Sequence, residues 1–301
     1  MTQTFRKIIN RTTISEAFQE FITSKRADGL AAATLKAYEM HFHAICRFLD
    51  PELEIDDLTN ALMKQVIGRM AETDLSRNSI RSYTATLKSF FSWMRQEGLA
   101  DVKIALFKGE EHTPTIYSPS ELKALLKRPK RRCTFVEFRT WVIVNLLVNN
   151  GCRASTVRLI RCGDVDLEGS VIRCRHTKNR KALSLPLSPD LIEILAEYIR
   201  IRKGNYDDPF FPDASGGTMS ENCLRNSIVR YNESRGVKKH GIHAFRHTFA
   251  RLYLVECGGN ALKLQKLLGH STLDMTKKYV QIYESDLVSD FRKISPLDCV
   301  K

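Results

Sequence analysis

The sequence lacks any apolar run long enough to span a bilayer. Its longest candidate, residues 141–148, falls far short of the roughly 18 residues that a transmembrane helix needs. The basic residues near the N-terminus precede neither a long apolar segment nor a small-residue cleavage site, so no secretory signal is expected. Low-complexity segments and internal repeats are also missing. We therefore expect a globular cytoplasmic protein, associated with the nucleoid if its partner is DNA.

Paired cysteines are missing as well. The eight cysteines stand singly, and no Cys-x-x-Cys pair exists that would favour a zinc ribbon. A chain of 301 residues that is 43% apolar can build a core without a disulfide framework. The cysteines fit free thiols in a reducing compartment, and no metal ion or cofactor is expected.

Positive charge is abundant and unevenly distributed. The formal net charge is +13, of which residues 1–100 contribute +1 and the remainder +12. Such an excess attracts polyanions at long range. Nucleic acid is the first candidate partner and an anionic membrane surface the second, and charge alone does not separate them.

Residues 13–98 have the periodicity of amphipathic helices. Apolar residues recur at helical spacing over four stretches: 14–23, 31–49, 59–71 and 78–96. Four short helices in about 85 residues predict a small helical bundle.

The fourth helix carries cations and a hydroxyl at helical spacing, away from its apolar stripe. These residues are Arg77, Arg81, Thr84 and Lys88. They fit either a solvated face or a row of phosphate contacts along DNA. The sequence leaves both interpretations open.

Residues 99–117 lack sustained periodicity and predict a linker between two domains. A capping box at Ser118–Glu121, with proline at the first helical position, predicts where the second domain, 118–301, begins. That domain mixes an apolar helix near 138–149 with strands and turns over 167–187. The sequence thus predicts a mainly α-helical protein with a small β-sheet.

Several residues of possible chemical use follow one another in the second domain. In order they are Gly151-Cys152-Arg153, Lys178 in a hairpin turn, His243-x-x-Arg246, Leu268-Gly269-His270 and Tyr279. Taken singly, each is more simply explained as a structural or solvated residue. Their order and spacing together are far more specific than any one of them.

This run resembles the catalytic domain of the tyrosine recombinase, or phage integrase, family. The segments 243–250 and 267–272 resemble its central and closing motifs, and Tyr279 follows at the expected distance. The resemblance implies an N-terminal four-helix, SAM-like core-binding domain and a C-terminal mixed α/β catalytic domain. It also implies six catalytic residues: Arg153, Lys178, His243, Arg246, His270 and Tyr279.

The resemblance implies a reaction in which Tyr279 attacks a phosphodiester and forms a 3′-phosphotyrosine, so that neither ATP nor a metal ion is needed. Two guanidiniums suit the charge that develops on the phosphate oxygens. A phenol of ordinary pKa, about 10, needs a base such as His243. Lys178 would protonate the leaving 5′ oxygen, and His270 would donate to the phosphate.

One position departs from the family pattern. An acidic residue usually stands three after the first arginine, whereas this chain has Thr156. The acidic group is thought to support the site rather than react, so activity is still expected, with its efficiency and pH behaviour left open.

Two alternatives from other functional classes stay open. The chain could be a catalytically weakened DNA-binding relative, or a strand relaxer of the type IB topoisomerase kind. A membrane-surface protein would explain the charge but not the order of the motifs.

The resemblance also implies partners. Residues 284–298 have an apolar stripe that predicts an exchange helix docking on a neighbouring subunit. The expected partners are double-stranded recombination sites, three further copies in a cyclic tetramer on two such sites, and a second related recombinase. The sequence does not distinguish a role in resolving chromosome dimers from a role in integrating or excising a mobile element.

Overall fold

The structure, a computed structural model, describes residues 12–110, 114–174, 183–269 and 272. The chain divides into two compact units, with the division between His112 and Thr113. Within these ranges no helix combines the length and apolar character needed to cross a membrane.

The first unit is a bundle of four helices. They are α1 (Ile14–Ala27), α2 (Ala32–Ile45), α3 (Asn60–Ala71) and α4 (Arg77–Gln96), with a 3₁₀ turn at Ile55–Asp57 before α3. The four helices predicted from periodicity are confirmed. Helix α2 ends at Ile45, four residues earlier than expected, and α1 runs on to Ala27.

Aromatic rings fill the centre of this bundle. Phe18 of α1 stacks on Phe42 of α2 with ring centroids 3.8 Å apart, and Phe90 of α4 meets Phe18 edge-on at 5.3 Å. Such pairs add to the free energy gained by apolar burial. Helix α4 packs against each of the other three helices, so its exposed face is held firmly.

The segment after α4 packs on the bundle. Val102 is buried, the Lys103 amide donates to Asn60 Oδ1 at 2.8 Å, and the Phe107 amide donates to Thr84 Oγ1 at 3.2 Å. As far as residue 110, the stretch expected to be a linker therefore covers part of the surface of α3 and α4.

The described part of the second unit combines helices with a small sheet. The helices are α5 (Pro119–Leu126), α6 (Phe135–Asn150), α7 (Ala154–Leu159), α8 (Pro189–Arg202), α9 (Glu221–Ser234), α10 (Ile242–Arg251) and α11 (Ala261–Leu268), with a π-helical turn at Leu252–Glu256. The strands β1 (Val165–Asp166), β2 (Val171–Cys174) and β3 (Leu183–Pro186) form an antiparallel sheet in that order. Ile172 lies opposite Leu185 at its centre.

Helix α6 is the centre of this unit. It is buried on most sides, from Phe138 to Leu147, and it contacts α5, α8, α9 and α10. A helix that is apolar all round belongs in the interior. The predicted mainly α-helical fold with a small sheet is confirmed, and α6 ends where the first predicted catalytic residue begins.

Candidate active site

Gly151 ends α6 in the left-handed conformation, with φ of 57°. A Cβ atom at this position would lie 2.4 Å from the ring of Phe249 in α10. Glycine is therefore required at position 151 for two reasons, the left-handed backbone angle and the close approach of α10. This turn directs the chain into Arg153.

Arg153 lies at the start of α7 and is half-buried. Its guanidinium donates to the carbonyl of Leu268 at 3.3 Å and to that of Gly269 at 3.2 and 3.3 Å. These carbonyls end α11, where the helix dipole is negative and favours a cation. Arg153 therefore bridges the end of α6 and the end of α11.

Arg246 of α10 is buried, with only 5% of its surface exposed. Its Nη1 donates to the Gly151 carbonyl at 2.9 Å, and its Nη2 donates to the Leu268 carbonyl at 2.9 Å. Arg153 and Arg246 therefore share the Leu268 oxygen. Because Arg153 Nη1 (3.3 Å away) and Arg246 Nη2 (2.9 Å away) donate to the same oxygen, the two guanidiniums lie close together.

Two adjacent guanidiniums repel each other, and carbonyl oxygens offset this repulsion only in part. An anion placed against both would be stabilised by forked, charge-assisted hydrogen bonds. The pair is thus suited to hold a phosphate group, and we call it the arginine clamp: Arg153 and Arg246.

His243 lies one helical turn before Arg246 on α10 and is exposed. His247, next to the clamp, is half-buried. Burial lowers the pKa of His247, and the nearby His243 and Arg246 lower it further. A neutral imidazole at this position adds no further positive charge to the clamp.

Thr248, which sequence reasoning did not single out, holds α10 to the start of the second unit. Its hydroxyl donates to the Ala244 carbonyl at 2.7 Å and accepts from the Tyr117 amide at 2.8 Å. The Tyr117 ring packs on Phe245 with centroids 4.3 Å apart. Its position within the 243–250 motif could have indicated this role, because a hydroxyl buried with the motif needs hydrogen-bond partners.

Three of the predicted catalytic residues, Lys178, His270 and Tyr279, lie outside the described residues, as does the segment 284–298. Within the ranges that are described, no cluster of His, Cys, Asp and Glu is suited to hold a metal ion.

Thr156, at the usual acidic position, is buried in α7. Among the described residues, the guanidinium of Arg153 bonds to backbone carbonyls and to no carboxylate. Those carbonyls thus supply the negative partners of Arg153 in this chain.

The cations proposed for DNA contact lie on the first unit. Arg77, Arg81 and Lys88 are exposed on α4. Arg77 donates to the Lys108 carbonyl at 3.4 Å, and its guanidinium lies over the Phe107 ring at 5.1 Å. Part of this face therefore contacts the chain's own segment 102–110.

Thr84 does not share that exposure. It is fully buried, and its hydroxyl donates to the Arg81 carbonyl at 3.0 Å while accepting from the Phe107 amide at 3.2 Å. A hydroxyl used in this way is not available to a phosphate. The expectation of a DNA contact at Thr84 is corrected: this residue anchors the segment after α4.

Family comparison agrees with both units. Residues 116–286 match the phage integrase family, and residues 16–98 match the N-terminal SAM-like domain of phage integrases.

Relatives of similar length cover nearly the whole chain. Tyrosine recombinase XerC of Thermodesulfovibrio yellowstonii is 26% identical over 91% of this chain and 93% of its own length. Tyrosine recombinase XerD of Staphylococcus saprophyticus is 24% identical over 94% and 99%.

Solved structures share the fold. The Tn1549 transposon integrase, in complex with transposon right end DNA, aligns with a TM-score of 0.75 and 20% identity over 89% of this chain and 94% of its own. A lambda integrase tetramer bound to a Holliday junction aligns with a TM-score of 0.69 and 18% identity over 90% and 78%. Because the family match spans more than half of the chain, the protein belongs to the phage integrase family, that is, the tyrosine recombinases.

Proposed function

We propose that this chain is a site-specific DNA recombinase that cleaves and rejoins strands through a 3′-phosphotyrosine at Tyr279. The observation that carries the proposal is the arginine clamp, in which Arg153 and Arg246 share the Leu268 carbonyl. The family match does not favour a catalytically weakened relative or a strand relaxer.

The clamp would act on the transition state. In-line attack on a phosphodiester adds negative charge to its non-bridging oxygens, and guanidiniums fixed beforehand need no reorganisation to meet it. Both arginines are held by backbone carbonyls, so their positions do not depend on a bound substrate. The energy of the broken bond is retained in the phosphotyrosine ester, which the free 5′ hydroxyl later attacks.

The other residues take roles around this clamp. His243, exposed one turn before Arg246, would accept the phenolic proton of Tyr279. Lys178 would protonate the leaving 5′ oxygen, and His270 would donate a hydrogen bond to the phosphate. These roles rest on the family motif at the matching positions of this sequence.

The substrate would be a pair of double-stranded recombination sites bound by four copies of the chain. Relatives named XerC and XerD, and a lambda integrase tetramer on a Holliday junction, support this assembly. Exposed Arg77, Arg81 and Lys88 would contact the phosphate backbone from the first unit. Action on cellular DNA would place the protein at the nucleoid.

The nucleophile is tested by covalent capture. A library of nicked random duplexes is incubated with the protein, and complexes that resist denaturing detergent are isolated and sequenced. Wild type should trap DNA, because the short strand released beside the nick cannot rejoin, whereas Tyr279→Phe should trap none.

Tyr283→Phe is the matched control, since Tyr283 lies four residues further on and is the obvious competitor. It should trap DNA as wild type does. Capture by Tyr279→Phe and its loss in Tyr283→Phe would assign the nucleophile to Tyr283 instead.

A further inference from the structure

A dense basic run connects α5 to α6 in the second unit. Residues 127–132 read Lys-Arg-Pro-Lys-Arg-Arg, and all five cations are exposed while Pro129 is buried. A buried proline in the middle of the run restricts the backbone, so the cations project from a fixed loop.

This loop forms one wall of a cavity of about 800 Å³. Lys127, Lys130 and Arg132 line it from the loop, and Arg230 lines it from α9 on the other side. Thr134, Asn226 and Ser227 add neutral hydrogen-bonding groups to the lining. The cavity therefore presents positive charge from two directions.

Most of this charge is not neutralised by the protein. Arg128 pairs with Glu197, and Arg235 pairs with Glu137 at 3.3 Å. Across the described ranges, Lys127, Lys130, Arg132 and Arg230 form no ion pair. Four cations facing one cavity repel one another, and a bound polyanion would relieve that repulsion.

The cavity is separate from the arginine clamp. Helix α6 begins beside the cavity and ends at Asn150, just before Arg153. Sixteen residues at a rise of 1.5 Å place the two ends of the helix about 24 Å apart. A ligand at the cavity would therefore not occupy the catalytic phosphate position.

We propose that this basic cavity binds the phosphate backbone of duplex DNA outside the segment held at the arginine clamp. The inference rests on the proposed function, because its partner is the DNA on which the clamp would act. Duplex DNA carries about one negative charge per 1.7 Å of its axis, so several cations at one cavity can contact phosphates together. The contact is independent of sequence and lengthens the footprint of the protein on DNA.

Native thiols report on this site directly. Cys133 and Cys223 line the cavity and are partly exposed, whereas Cys257 is exposed elsewhere in the second unit. Random-sequence duplex DNA should slow alkylation of Cys133 and Cys223 by iodoacetamide, measured by mass spectrometry. Cys257 provides the internal reference in the same sample.

The cavity variant is Lys127→Gln, Lys130→Gln and Arg132→Gln. It should lose the protection of the two cavity thiols. The logarithm of its DNA affinity should also depend less steeply on the logarithm of salt concentration, by about 2 to 3 in slope for three lost phosphate contacts.

The matched control removes the same charge from elsewhere. Arg26→Gln, Lys64→Gln and Lys238→Gln replace one exposed arginine and two exposed lysines outside the cavity. This variant should keep the thiol protection and change the slope by less than one. The proposal would be overturned if the two triple variants had equal salt-dependence slopes and equal protection of the cavity thiols. It would also be overturned if polyglutamate protected these thiols and DNA did not.

Failure of this inference is distinguishable from failure of the proposed function. The cavity variant should still form the covalent complex on a nicked duplex at saturating protein, because the clamp is unchanged. Loss of covalent capture in wild type, with thiol protection retained, would refute the recombinase chemistry and keep the DNA site. Covalent capture by wild type without protection of the cavity thiols would refute the DNA site at the cavity and keep the recombinase chemistry.

Discussion

Arg153 and Arg246 hold the same carbonyl from different depths in the protein. Arg246 is buried and spans from Gly151 to Leu268, whereas Arg153 is half-buried and bonds to the carbonyls of Leu268 and Gly269 at the end of α11. Burial gives the hydrogen bonds of Arg246 a structural role beside the proposed catalytic one, since a buried carbonyl left without a donor is costly. Substitution of the two arginines should therefore change the stability of the protein by different amounts and slow cleavage to a similar extent.

Substituting each arginine by alanine separates these contributions. Arg246→Ala should lower the free energy of unfolding by about 1–3 kcal/mol, because the Gly151 carbonyl loses this donor and the Leu268 carbonyl keeps only its longer bond from Arg153. Arg153→Ala should cost about 1 kcal/mol, since the Leu268 carbonyl keeps its donor from Arg246 and Gly269 is half-buried. Both should slow cleavage by about 10²-fold or more.

Urea unfolding and the rate of covalent capture measure the two effects. Near wild-type cleavage by either variant would show that the clamp is misplaced. Equal losses of stability would show that burial does not distinguish the two arginines.

At the scale of elements, periodicity predicted the four helices of the first unit because each has an apolar stripe. The packing of residues 102–110 on α4 could not be predicted, since Val102 and Phe107 follow no helical or strand period. The same omission explains the correction at Thr84, whose polar helix face is covered by that segment. A helix pattern indicates which face is polar, and it does not indicate what covers that face.

The junction between α6 and α10 offers a test of close packing. Gly151→Ala should destabilise the protein by about 2–4 kcal/mol, because a left-handed backbone and an overlap with Phe249 are both unfavourable for a side chain. The cost should be smaller when measured in a Phe249→Ala background, where the ring is gone. Urea unfolding of the four proteins in this cycle gives both values, and an equal cost in both backgrounds would leave backbone strain alone as the cause.

The capping box of α5 predicts a dependence of stability on pH. Burial raises the pKa of the Glu121 carboxyl, but hydrogen bonds from Lys239 and Ser118 outweigh it, so the pKa lies below its ordinary value. A lowered folded-state pKa contributes stability above the unfolded pKa, and this contribution is lost as the pH falls through the folded pKa.

Glu121→Gln should therefore be less stable than wild type at neutral pH, and the difference should shrink below about pH 4. Urea unfolding at a series of pH values measures this difference. Glu20→Gln, at an exposed position of α1, is the control and should show little difference at any pH. A gap for Glu121→Gln that stays constant down to low pH would assign the effect to packing instead.

At the scale of the whole molecule, the order of the motifs predicted which residues belong to one site, and the structure brings Arg153 and Arg246 together. The carbonyl that they share could not be predicted, because motif spacing does not state where a helix ends in space. The uneven charge predicted a polyanion partner for the second unit. It did not indicate that Lys127, Lys130, Arg132 and Arg230 would line one cavity, away from the clamp.

The segment 284–298, outside the described residues, carries the proposal for assembly. Deleting residues 286–301 should leave binding to a single DNA site nearly intact but impair synapsis and strand exchange, because the apolar stripe proposed to dock on the neighbour is lost. Native gel analysis of paired sites measures synapsis. Deleting residues 299–301 alone is the control, and normal recombination by the longer deletion would support a subunit that acts independently.

The hydrogen bonds that fix the Gly269 carbonyl to Arg153 have a consequence for the nucleophile. Tyr279 follows Gly269 by ten positions along the chain. Fully extended, this stretch spans at most about 33–36 Å. In the proposed mechanism, Tyr279 is thus a tethered reactant that cannot lie farther than this length from Gly269. A substitution that frees Gly269 would move the fixed end of this tether and dilute the nucleophile, even with every catalytic side chain intact.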